Sequence, residues 1–266
     1  MSALERAQAV LLAQTPDAKV HAARELALAW ESNKTVSTLK RGLGDRPNRP
    51  NKPEMVDPRT IPRKGLGKVE GRIALLHAVA HIEFNAIDLA ADMICRFSTD
   101  DLIKNHMKEE FVSDWILVCA DEARHFELVN TRLLQLGSFY GDQPAHDGLW
   151  EAALSTRHDV TARLAIAPMV LEARGLDVTP AMIKKLKQVK DVKSADILQI
   201  IYDDEIGHVA IGTKWFNAIC KNLGRQPEAA FHALVKTHFS GKLKPPFNTE
   251  GRALAGLTSE FYAPLV

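Results

Sequence analysis

The motif Asp-Glu-x-x-His occurs twice in this chain, as DEARHFELV from Asp121 to Val129 and as DEIGHVAIG from Asp204 to Gly212. Each copy sits where apolar residues recur at intervals of three and four, the period of an amphipathic helix. Trp115, Val118, Cys119, Phe126 and Val129 surround Glu122; Leu198, Ile201, Tyr202, Val209 and Gly212 surround Glu205. Both carboxylates therefore interrupt apolar stripes. Residues three apart share a helix face, so Glu122 with His125, and Glu205 with His208, aim at one point. A lone ionised carboxylate facing a core is costly, and it persists only with a partner, of which a metal cation is the strongest.

The same anomaly recurs in two other helical stretches. Glu83 in HAVAHIEFNAIDLAAD is flanked by Leu76, Val79, Ala80, Ala86, Ile87 and Ala90, and Glu172 in APMVLEARGLD by Ala165, Met169 and Leu176. One inward Glu from each of two helices, with one Glu-x-x-His from each of two others, is the ligand set of the carboxylate-bridged dinuclear bundles. Glu83, Glu122, His125, Glu172, Glu205 and His208 are thus the expected metal ligands. A site rich in carboxylates suits iron or manganese better than zinc, so two Fe ions are expected, with Mn/Fe or Mn/Mn as alternatives.

The rest of the chain is consistent with an all-α protein. Helices are predicted over 2–13, 16–31, 69–97, 108–136, 149–174 and 192–223, with a smaller one capped by Thr179 before Pro180, another in QPEAAFHALVKTHF, and an irregular tail from Gly241. Between the second and third helices five prolines in RGLGDRPNRPNKPEMVDPRTIPRKGLGK deny a helix. That segment is basic, carrying Arg41, Arg46, Arg49, Lys52, Arg59, Arg63, Lys64 and Lys68, but lacks interleaved aromatics to stack bases, so a solvated loop draped over a bundle is favoured over a phosphate-binding one. The expected organisation is a single domain: N-terminal helices and loop over 1–68, a metal bundle over 69–223, and a C-terminal helix and tail over 224–266. A net charge of +1 supplies no global attraction to nucleic acid or anionic membrane. No stretch reads as a leader or approaches the roughly 20 apolar residues of a membrane span, and three scattered cysteines suggest no disulfide framework. A cytoplasmic protein with no membrane partner is expected.

The order Glu, Glu-x-x-His, Glu, Glu-x-x-His, with a long connection in the middle, resembles the ferritin-like superfamily over about residues 69–223. The stretches HAVAHIEFNAIDLAADM, DEARHF, LEARGLD and DEIGHVAIG, with the Pro-rich basic loop, look more closely like a bacterial ferritin-like family without an assigned reaction. The resemblance implies a ferritin-like four-helix bundle with additional N- and C-terminal helices. Its likeness to oxygen-activating di-iron enzymes implies that Asp121 and Asp204 each hold the histidine of the opposite helix, solvent-facing aspartates being the alternative. Within the superfamily a bacterial tRNA hydroxylase is the nearest functional analogy, which leaves RNA open as a partner.

The leading expectation is an O2-activating oxidoreductase, a hydroxylase or oxidase with a small-molecule substrate and an unidentified electron donor. A ferroxidase or iron-handling protein and a non-catalytic structural protein are the alternatives. Tyr202, one turn before Glu205, reads either as packing with a satisfied hydroxyl or as a redox or hydrogen-bonding phenol. His77 and His81 share a face turned away from Glu83 and are expected to contact the N-terminal segment. Cys119 is expected as core filler, Arg124 and Arg174 in interhelical salt bridges, and Glu110, Asp114 and Glu127 as solvated or paired charges.

Overall fold

The computed structural model describes residues 1–36, 42–62 and 64–266. Of the basic segment, Arg41 and Arg63 fall outside the described residues. Regular structure among the described residues is helical, apart from an isolated parallel bridge between Met55 and Ala145. The chain packs as two compact units, Met1–Trp150 with Lys185–Ile197, and Glu151–Lys184 with Leu198–Val266.

In the first unit α1 (Ala3–Leu12) and α2 (Pro16–Ser32) precede two long helices, α3 (Val69–Phe97) and α4 (Lys108–Gln135), which pack along each other. Ser2 and Glu5 form a reciprocal capping box on α1, and Thr15 caps α2 ahead of Pro16. Within α3 an 18-residue window with mean hydropathy 1.3 is, by length and composition alone, apolar enough to cross a bilayer. Yet 72% of that window is buried inside the protein, which accounts for its apolar character by packing alone.

A fully buried ion pair lies within this unit. Lys19 of α2 donates from Nζ to Asp88 Oδ1 at 2.5 Å and to the Val10 carbonyl at 2.9 Å, with both charged side chains 0% exposed. The Pro-rich segment is tied down as well: Arg46 and Arg49 pair with Asp147, and Arg49 lies over the Trp150 ring. Arg59 pairs with Asp57, the cap of a short 3-10 turn.

His77 and His81 bind not the N-terminal segment but the connection that follows α4. The Gly141 N–H donates to His77 Nε2 at 2.9 Å, and His81 Nδ1 and Nε2 meet Tyr140 Oη and the His146 carbonyl at 2.9 and 3.0 Å. Two imidazoles on one face of α3 give a wandering connection the acceptors and donors its backbone needs. Burial pushes both down to about 4. Because these folded-state values lie below the ordinary 6.5, the neutral rings contribute stability that is complete above pH 6.5 and is lost as pH falls towards 4. Urea unfolding should therefore weaken by up to about 1.4 kcal/mol per pH unit per histidine across that window. The slope should flatten in His77→Gln, whose amide oxygen still accepts from Gly141; an unchanged slope would mean that His77 does not set it.

In the second unit the predicted helix 149–174 is interrupted. α5 (Gly148–Ser155) begins at the unit boundary and ends before Asp159, whose carboxylate accepts from the Thr161 and Ala162 N–H groups and starts α6 (Val160–Ile166). Buried Arg163 staples the break, donating from Nε to Thr156 Oγ1 at 2.9 Å and from Nη2 to the Ala153 carbonyl at 2.8 Å. Pro168 then cannot donate to the carbonyl four residues back, and the chain passes through a π-helical turn, Ala167–Glu172, before α7 (Ala173–Gln188).

α7 runs straight through Thr179 and Pro180, which correct the predicted cap. Proline lacks the N–H that would bond the Leu176 carbonyl, but Asn248 Nδ2 donates to that oxygen at 3.1 Å and the helix continues. α8 (Val192–Asn222) and α9 (Pro227–His238) follow. The tail from Gly241 is not irregular throughout, since it holds α10 (Thr249–Leu254) and a last turn, α11 (Ser259–Tyr262).

Candidate metal centre

Three of the six predicted ligands converge inside the first unit. The apolar stripes of α3 and α4 face each other, so the carboxylates that interrupt them meet. Glu83, Glu122 and His125 are 5%, 2% and 0% exposed. Their ligand atoms all lie within 4.8 Å of one another, a spacing that admits one metal ion. His125 Nδ1 is 3.2 Å from Glu83 Oε2 and 3.4 Å from Glu122 Oε2. The residues that follow two of the ligands, Phe84 and Phe126, meet with ring centroids 5.5 Å apart and both pack on Tyr140.

Burial and mutual charge shift the ionisation of this triad. Burial and the Glu122 charge drive the Glu83 carboxyl well above the usual range, with His125 pulling the other way. Burial alone would lower the His125 imidazole, but hydrogen bonds and charge from Glu122 and Glu83 outweigh it and push it up to about 11. With both carboxyls ionised, the triad would hold more negative charge than one imidazolium can offset, and Glu83 answers by holding its proton.

The second unit holds the other half of the predicted set. Glu205 Oε2 lies 3.2 Å from His208 Nδ1, so the second Glu-x-x-His aims as its spacing requires. The His208 side chain is 2% exposed and that of Glu205 12%. Glu172 is delivered by the last residue of the π turn. Gly212, the final residue of the second motif, lets Pro168 of that turn pack against α8, since a Cβ there would sit 2.4 Å from the proline Cβ. One turn after Glu172, a Cβ on Gly175 would lie 3.7 Å from Glu205 Oε1, so α7 and α8 approach each other at this level.

The remaining predicted residues are placed as follows. Asp121 pairs with Arg124 at 3.2 Å, one turn on in the same helix. Arg174 likewise pairs with Asp177 of its own helix at 3.4 Å, and donates to the Lys244 and Pro246 carbonyls, where an interhelical bridge was expected. Asp204 is half-buried on α8. Glu127 pairs with Arg24 of α2. Cys119 is fully buried, with Sγ 3.7 Å from the Ile87 carbonyl, and burial pushes its thiol far up. Tyr202 is half-buried and its hydroxyl oxygen accepts from Asn248 Nδ2 at 2.8 Å.

Sequence reasoning did not single out Asn248, although NTEG in the tail carries the mark of a helix cap. Nor did it find the buried pair of Asp177 with Arg252, joined at 2.8 and 2.7 Å.

Residues 12–263 match a family described as "Protein of unknown function (DUF455)". A protein of Haemophilus influenzae named "Uncharacterized protein" is 44% identical over 209 residues, covering 79% of this chain and 73% of the relative. No solved structure matches the chain.

Proposed function

The chain belongs to the DUF455 family, and we propose that it is a dinuclear iron or manganese–iron carboxylate protein of ferritin-like architecture that acts as an O2-activating oxidoreductase. The observation that carries this reading is the buried Glu83, Glu122 and His125 triad, whose ligand atoms lie within 4.8 Å of one another. A structural core gains nothing from two carboxylates in that position, because each raises the cost of ionising the other. A divalent cation reverses the balance, replacing repulsion by coordination and settling all three donors at once.

Glu172, Glu205 and His208 supply three further oxygen and nitrogen donors of the same kind, and the six together are the set used by two hard-to-borderline metal ions. A reduced iron pair, when bound by these residues, would supply electrons to O2. The protein's part is to hold the donors, keep water out with the apolar residues around them, and orient the imidazoles. Asp121 and Asp204, adjacent to ligand glutamates, are proposed to accept from the second ring nitrogens of the histidines.

The test is metal analysis of the full chain purified without oxygen and without chelator. About two metal ions per chain, as Fe–Fe or Mn–Fe, are expected, followed by O2 consumption when the loaded protein is reduced. A chain that refuses Fe(II) and Mn(II) would overturn the reading. Iron uptake continuing well beyond two per chain would move it to iron handling.

A further inference from the structure

Asn248 lies outside every motif of the metal site, yet it makes specific contacts to three helices, α7, α8 and α10. Its side-chain oxygen accepts from the Gly251 N–H at 3.0 Å and so caps α10. Its side-chain nitrogen donates in two directions, to the Leu176 carbonyl of α7 at 3.1 Å and to Tyr202 Oη of α8 at 2.8 Å. Its backbone N–H donates to Asp177 Oδ1 at 2.9 Å, and the same carboxylate is gripped by Arg252 Nε and Nη2. One amide therefore braces two helices.

Where the brace attaches is the informative part. Leu176 lies four residues after Glu172 on α7, and Tyr202 three residues before Glu205 on α8. Pro180 has no N–H to give the Leu176 oxygen, and the Asn248 amide supplies a donor in its place. Residue 251 is glycine where a Cβ would lie 2.9 Å from the Tyr202 phenol oxygen and 3.0 Å from Asn248 Nδ2, so a larger residue would push on this contact. Two sequence choices with a local cost, a proline inside a helix and a glycine inside α10, are both answered by this contact.

We propose that Asn248 is a positioning residue for the half-site of the second unit, setting the spacing between α7, which continues directly from the turn carrying Glu172, and α8, which carries Glu205 and His208. This rests on the dinuclear reading above. Carboxylate ligands tolerate little displacement, and residues that orient them cost about 10- to 100-fold in metal affinity when lost.

Asn248→Asp separates positioning from folding. Aspartate keeps the oxygen that caps α10, a position at which Asn and Asp are equivalent, but has no N–H for Leu176 or Tyr202. The probe is Co(II) alone, titrated into the metal-free full chain and followed by its visible absorption. The expected result is two Co(II) per wild-type chain and, in the variant, one bound as in wild type while the other is weakened about 10- to 100-fold. The melting temperature of the metal-free variant should stay close to that of wild type. In a Tyr202→Phe background, which already lacks one end of the brace, the further effect of Asn248→Asp should shrink. Two wild-type affinities in Asn248→Asp, or equal weakening at both sites with a lowered melting temperature, would overturn the assignment of Asn248 alone. A wild-type chain that takes fewer than two Co(II) would overturn the dinuclear reading itself, and this inference with it.

Discussion

Lys19→Met is expected to destabilise the protein by about 3–5 kcal/mol, while the double variant Lys19→Met with Asp88→Leu recovers most of that loss. Both side chains of the pair are 0% exposed. Burial pushes the Asp88 carboxyl up to about 6, with Lys19 pulling in the other direction. Removing the ammonium strands that carboxylate in a core and takes one of two donors from the Val10 carbonyl, which keeps the Ala13 N–H. Removing both charges leaves only a packing problem, which cores absorb far more easily. Urea unfolding of the metal-free chain measures both differences. A single variant within about 1 kcal/mol of wild type would mean that solvent reaches Asp88 and that the pair contributes little.

Lys19 also shows what kind of information the sequence carried. It stands on the face of α2 that buries Val20, Ala23, Leu26 and Trp30, as Glu83 stands on the buried face of α3. A charge in an apolar stripe announces that a partner exists. The kind of partner is legible only when the spacing is special, as in Glu-x-x-His, and Lys19 had no such spacing. The histidines of α3 were misread for a related reason: their face was evident, but the segment lying over it was set by tertiary packing of the connection after α4.

The breaks in the predicted helix 149–174 were written in Asp159 and Pro168, each with a local mechanism, but the apolar periodicity of that stretch outweighed them. Pro180 failed in the opposite sense. A proline normally marks a boundary, and here a side chain distant in sequence supplied the bond it lacks. Helix α10, only six residues long, has too few internal hydrogen bonds to announce itself. It is held by Asn248, and by Arg252 on Asp177.

Glu83→Gln should move two properties in opposite directions. In the metal-free protein Glu83 is a buried carboxyl held far above its ordinary range by burial and by the Glu122 charge. Glutamine keeps the size of the protonated acid and carries no charge, so the metal-free melting temperature is expected to hold or rise. The first half-site, however, loses an anionic ligand that no neutral amide replaces, and its affinity for Co(II) or Fe(II) should fall by at least about 100-fold. The rise in melting temperature that saturating metal gives the wild-type chain should shrink correspondingly, since ligand binding stabilises only in proportion to affinity. If Glu83 were a structural residue satisfied by hydrogen bonds in the core, glutamine would lower the metal-free stability instead and leave metal content untouched. A side chain that weakens the empty protein and strengthens the loaded one is retained for the ion it holds, which is why the sign of the metal-free change discriminates more sharply than the loss of binding alone.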